Sequence, residues 1–132
     1  MKKRYFTLQE ANALVPWLDS VLREASSVRE ELTAEEQALD EVLRKTRSNG
    51  QRSLEKEIVQ GRQRVESLTQ QLRALVAQIT NKGIIVRDLD RGLVDFPSLR
   101  EGREVYLCWL WGEEEIAFWH EVDAGFAGRQ PL

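Results

Sequence analysis

The chain has 132 residues, 42% of them hydrophobic and 31% charged, with a net charge of -3 and a single cysteine. That is enough for one domain with one modest core. The weakly acidic balance speaks against nucleic acid or an anionic membrane as partner, and the lone Cys108 excludes an intrachain disulfide and fits a reducing compartment. The opening MKKRYFTLQEAN has a basic tip with no apolar run behind it, so it does not read as a signal peptide. No stretch approaches the roughly 20 apolar residues of a membrane span, and the expected location is the cytoplasm.

In chain order, Thr7-Leu-Gln-Glu10 reads as a capping box that starts a helix. Apolar positions then recur in alternating steps of four and three: Leu14, Leu18, Val21, Ala25, Val28, Leu32, Glu35, Leu39, Val42. A second run, Leu54, Ile58, Gly61, Val65, Leu68, Leu72, Leu75, Ile79, keeps the same beat. These are coiled-coil seams, and TRSNGQRS at 46–53 supplies a turn between them. Folding back there sets Val42 against Leu54, Leu39 against Ile58, Leu32 against Val65 and Leu18 against Ile79. Glu35 then faces Gly61 and leans toward Arg62 or Arg64. The two segments also have opposite charge: residues 8–46 carry nine acids and four bases, residues 51–82 six bases and three acids. Pro16 is expected to kink the first helix.

Gly83 plausibly closes the second helix, and Ile84-Ile85-Val86 reads as a short strand followed by the loop DLDRGLVDFPSLREG. REVYLCWLW and EIAFWHEV, joined at Gly112-Glu113, read as a β-hairpin. With a two- or four-residue turn, Val105, Leu107, Trp109, Phe118 and His120 share one face. Tyr106, Cys108, Leu110, Trp119 and Glu121 share the other. Both faces are apolar, so the helix base must cover one, and the DLDRGLVDFP loop, the tail or a second subunit the other. The fold class is therefore α+β: a long antiparallel two-helix coiled-coil hairpin at 8–82, with a small antiparallel β-sheet and C-terminal tail at 83–132 packed at its base. The whole of 1–132 reads as a single domain.

Chemistry has few places to sit. His120, the only histidine, can join Asp123 if the chain turns at Asp123-Ala-Gly125, and Asp88, Asp90, Arg91 and Asp95 can approach from the preceding loop. Such a set suits a hard or borderline divalent ion, with His120, Glu121 and Asp123 as the metal candidates. Glu121 points to the opposite face from His120 while the strand is regular. Asp90, Arg91, Asp95 and Arg129 form a second candidate set, because glycines beside arginine let amides and guanidinium converge on an anion. The competing reading is ordinary: a strand-end histidine bonded to a carboxylate or carbonyl, and arginines paired with the ten acids of 83–132. No phosphate loop, dinucleotide fingerprint, H-E-x-x-H or G-x-S-x-G is present, and Cys108 sits mid-strand in an inert setting.

The segments FTLQEANALVP and DLDRGLVDFPSLREGREVYLCWLWGEEEIAFWHEVDAGFAGRQPL resemble a bacterial and archaeal family catalogued as domain of unknown function 2203 (DUF2203). The resemblance covers nearly the whole chain and implies a complete small protein; the family has no established activity, so it assigns no catalytic residue, and no cofactor is expected beyond a divalent metal as the alternative. The leading expectation is a non-enzymatic interaction or scaffolding protein, with a protein partner or a homodimer and no role for membranes; nucleic-acid binding by the basic second helix ranks last, because acids on the first helix largely cancel its field. The second is a metal- or anion-binding site, open to hydrolytic chemistry, around His120, Asp123, Asp90 and Arg129.

Overall fold

The computed structural model describes residues 3–49 and 54–132. Lys2 and the Gly50 side of the expected turn lie outside them. Two helices, α1 (Leu8–Asn49) and α2 (Glu55–Thr80), precede five strands: β1 (Ile85–Asp88), β2 (Leu93–Arg100), β3 (Arg103–Leu110), β4 (Phe118–Glu121) and β5 (Gln130–Pro131). The strands form one antiparallel sheet in the order β1-β2-β3-β4-β5. The fold is α+β, with the two helices packed together ahead of the sheet. None of the described helices is long and apolar enough to cross a membrane.

The chain divides into two compact units, Glu24–Leu75 on one side and Met1–Arg23 with Val76–Leu132 on the other. In the first, Ala25, Val28, Leu32, Leu68 and Leu75 are buried along the apolar seam. One cross-helix contact refines the expected pairing. A Cβ on Gly61 would lie 3.1 Å from Leu39 Cδ1, so Leu39, not Glu35, fills the space left by the missing side chain. Burying leucine there is favourable, whereas a carboxylate would lose its water. Glu35 leans to Arg64, as expected, and accepts from its Nε at 2.8 Å.

The second unit holds the sheet. The capping box forms as the sequence indicates, with Thr7 Oγ1 accepting from the Glu10 amide at 3.0 Å and Glu10 Oε1 accepting from the Thr7 amide at 2.8 Å. These bonds hold the Glu10 carboxyl below its usual range. Helix α1 runs through Pro16 without interruption, and Gly83, at φ 92°, stops the chain after α2. The segment read as a loop contains β2, a buried strand whose Asp, Pro and Ser disguise it. Pro97 is tolerated because its carbonyl, and hence the side of its missing N–H, faces the Phe6 amide at 2.7 Å rather than β3.

The β3–β4 connection is longer than the expected turn. Strand β3 ends at Leu110 and β4 begins at Phe118. Tyr106 lies opposite His120 and Cys108 opposite Phe118. An odd loop moves the pairing by one residue, which turns every β4 side chain to the other face. His120 therefore shares a face with Tyr106 and Cys108, and Trp119 shares one with Leu107.

The Phe96–Leu107–Trp119 face closes on the N-terminal segment and α1. Phe6 meets Phe96 edge-on at 5.2 Å, and Ala11, Leu18, Leu22 and Ile79 are buried in the same core. Trp111 Nε1 donates to Asp19 at 2.7 Å and the Ile116 amide to Asn12 at 2.7 Å, fastening the β3–β4 loop to α1. Gly92, at φ 72°, lies against Trp111, leaving no room for a side chain. On the other face, Arg87 and Lys3 lie over Tyr106, and Arg129 over Phe118.

Candidate functional site

Three strands converge on one buried polar cluster. Asp95 of β2 lies opposite Cys108 of β3, which is flanked on its own face by Tyr106, and His120 of β4 lies opposite Tyr106. Asp95 and His120 are each 2% exposed and Cys108 is fully buried. One oxygen, one sulfur and one nitrogen from these residues all lie within 4.8 Å of one another. Among the described residues this is the cluster with a metal-ligating donor set.

Hydrogen bonding sets the state of the imidazole. Its Nδ1 lies 2.8 Å from the Glu121 carbonyl oxygen, which can only accept, so Nδ1 carries a proton and donates. In the neutral ring Nε2 is then a lone pair, yet it lies 3.0 Å from Asp95 Oδ1, a second acceptor. A hydrogen bond at that distance needs a proton between the two atoms, carried by the ring or by the carboxyl. The other carboxylate oxygen, Oδ2, accepts from Arg87 Nε at 2.8 Å. That bond raises the Arg87 guanidinium further above its ordinary value. Arg87 covers the edge of the cluster and lies over the Tyr106 ring at 5.0 Å.

Burial, followed by the nearby Asp95 charge, pushes the Cys108 thiol up to about 12. Without an ion the thiol is protonated and serves as one more donor toward Asp95. A divalent cation reverses this, since coordination deprotonates a thiol outright.

The sequence candidates are dispersed around this cluster. Asp95 and His120 come together. Glu121 contributes its carbonyl to His120, while its carboxylate pairs with Arg103 at 2.8 and 3.0 Å. Asp123 and Asp90 are exposed. Asp88 caps the β1–β2 turn by accepting from the Arg91 amide at 3.1 Å, and the Arg91 guanidinium lies over Phe126 at 5.1 Å. Arg129 pairs with Glu113 at 2.8 Å. Sequence reasoning missed Cys108, Arg87 and Glu113. The parity of the β3–β4 loop would have exposed the first of these, because it alone decides whether Cys108 and His120 share a face.

A separate apolar cavity of about 430 Å³ is lined by Tyr5, Leu8, Leu99, Trp119 and Leu132 among others, and none of the three cluster residues reaches it. Comparison with curated proteins and with solved structures yields no match. The family model described as "Uncharacterized conserved protein (DUF2203)" matches residues 4–132, and the chain belongs to that family.

Proposed function

We propose that the protein binds a borderline divalent transition-metal ion of the zinc class at Asp95, Cys108 and His120. The carrying observation is that a carboxylate oxygen, a sulfur and a ring nitrogen of these three buried residues lie within 4.8 Å of one another, with a carbonyl holding Nδ1–H. A ring oriented in this way by a backbone carbonyl presents its free nitrogen as ligands of zinc do. Bond lengths of about 2.0–2.3 Å put tetrahedral ligand atoms roughly 3.3–3.7 Å apart. The three donor atoms lie within 4.8 Å of one another, so the side chains would have to draw together to reach that spacing. Thiolate with imidazole favours zinc-like ions over calcium or magnesium. Arg87 would remain on Asp95 Oδ2, orienting the carboxylate from outside the coordination sphere.

The cluster is closed to solvent, which supports a structural ion joining β2, β3 and β4 over a hydrolytic one. A partner for residues 24–75, protein or second copy, is a separate proposal. Val59 is the one large exposed hydrophobic described there, so recognition would be electrostatic and weakened by salt.

Thermal melting of the chelator-treated protein, with and without Zn²⁺, tests the reading. An ion at 100 times its dissociation constant adds about 2.7 kcal/mol if it binds only the folded state. The shift is expected in the wild type and absent in His120→Ala and Asp95→Asn. No shift in the wild type, or an equal shift in the variants, contradicts the site.

A further inference from the structure

Arg129 follows the short helical turn Phe126–Gly128 and fastens the C-terminal segment to the sheet. Its Nη2 donates to both Glu113 carboxylate oxygens, at 2.8 and 2.9 Å, and to the Cys108 carbonyl oxygen at 3.3 Å. The guanidinium lies over the Phe118 ring at 4.1 Å and beside the Phe126 ring at 4.9 Å. Phe118 is the cross-strand neighbour of Cys108 on the cluster face. Arg129 thus roofs the row of the sheet that holds the thiol, and the charges of both Arg129 and Glu113 act on that thiol.

Little else holds this segment down. Residues 122–127 are exposed, β5 has two residues, and the Leu132 amide donates once, to the Ala117 carbonyl at 2.9 Å. The roof also has a defect: Arg129 Nε is buried with no acceptor, and an unsatisfied buried donor lowers the stability of the closed form. Glu113 is more firmly placed, since its Oε1 also accepts from the Leu110 amide at 2.7 Å. A segment with few buried contacts, held by this ion pair, the Arg91–Phe126 contact and a two-residue strand, is suited to local opening well below the free energy of global unfolding.

We propose that the Arg129–Glu113 pair is a latch, and that its release lets segment 122–132 lift and opens the Cys108 corner of the cluster to solvent. Where it concerns ion exchange this rests on the metal reading above; the opening itself does not. Closed, the latch retains the ion and shields the thiol. Open, it admits an incoming ion or a competing chelator.

The test is the rate of Cys108 alkylation by iodoacetamide in the folded, metal-free, full-length protein. Glu113→Gln and Arg129→Lys keep hydrogen-bonding capacity but break the bidentate pair, and each is expected to raise the rate about tenfold, as a weakened charge-assisted pair should. Arg103→Gln, which removes the ion pair with Glu121 elsewhere on the sheet, leaves it unchanged. Urea unfolding of each variant separates local from global opening. Equal rates in all four proteins overturn the latch, as does acceleration that only tracks global stability. Zn²⁺ release into excess chelator is read in parallel and should accelerate similarly. If the wild type binds no Zn²⁺ the metal reading fails, while alkylation still decides the latch.

Discussion

Residues 24–75 and the sheet unit bury their interiors in different ways. The helical unit hides a narrow apolar seam, and its charged partners, such as Glu35 and Arg64, stay at the surface. The sheet unit places a carboxylate, an imidazole and a thiol inside, and satisfies them with one another, with Arg87 and with the Glu121 carbonyl. A seam of leucine and valine yields stability alone. A buried polar cluster drawn from three strands adds little stability over apolar packing.

The first way to break this contrast is Asp95→Ala, which strands His120 Nε2 and Arg87. Removing one partner of a buried charged network costs about 3–5 kcal/mol, and urea unfolding of the metal-free protein should show a loss of that size. Next, Leu68→Ala in the helical seam is expected to cost about 2–3 kcal/mol, at the low end for buried leucine because the seam is narrow. A Leu68→Ala loss exceeding that of Asp95→Ala would reverse the ranking of the two units.

The pH dependence sharpens it further. In the unfolded chain the thiol ionises from near 9.0, whereas folded Cys108 keeps its proton to about 12. The unfolded state therefore loses its proton first, and stability falls as pH rises between these values. The difference between metal-free wild type and Cys108→Ala should decline by about 1.4 kcal/mol per pH unit in that window. A flat difference would mean the thiol is less enclosed than the geometry indicates. The smallest effect belongs to Glu35→Ala, which removes a solvent-exposed pair and should cost less than about 1 kcal/mol.

The helices were legible in the sequence because their signal is local. A period repeated over many turns and a capping box at Thr7–Glu10 need no knowledge of distant residues. The lean of Glu35 to Arg64 was legible too, whereas the contact of Leu39 with Gly61 was not, since it depends on how one leucine side chain settles across the seam. Strand β2 was hidden because Asp95, Pro97 and Ser98 resemble turn residues. Each of them is satisfied by something remote: Asp95 by Arg87 and His120, Ser98 by the Phe6 carbonyl at 2.6 Å, and Pro97 by turning its backbone polar edge to the Phe6 amide instead of β3. The candidate site was half legible. His120 and Asp95 stood out by residue type, but the odd loop between β3 and β4 set their true companions, and loop parity depends on Trp111 and Ile116 anchoring to α1.

The most direct test of the metal centre is the absorption spectrum of the chelator-treated protein titrated with Co²⁺, a spectroscopic stand-in for zinc. The account predicts saturation at one equivalent, with a thiolate-to-metal charge-transfer band and, where one water enters as the fourth ligand, tetrahedral ligand-field bands. Cys108→Ser should lose the charge-transfer band, and His120→Ala should lose the tetrahedral signature. A wild-type spectrum identical to that of free aqueous Co²⁺, or an unchanged charge-transfer band in Cys108→Ser, would contradict the account and leave Asp95, Cys108 and His120 as a buried proton-sharing network.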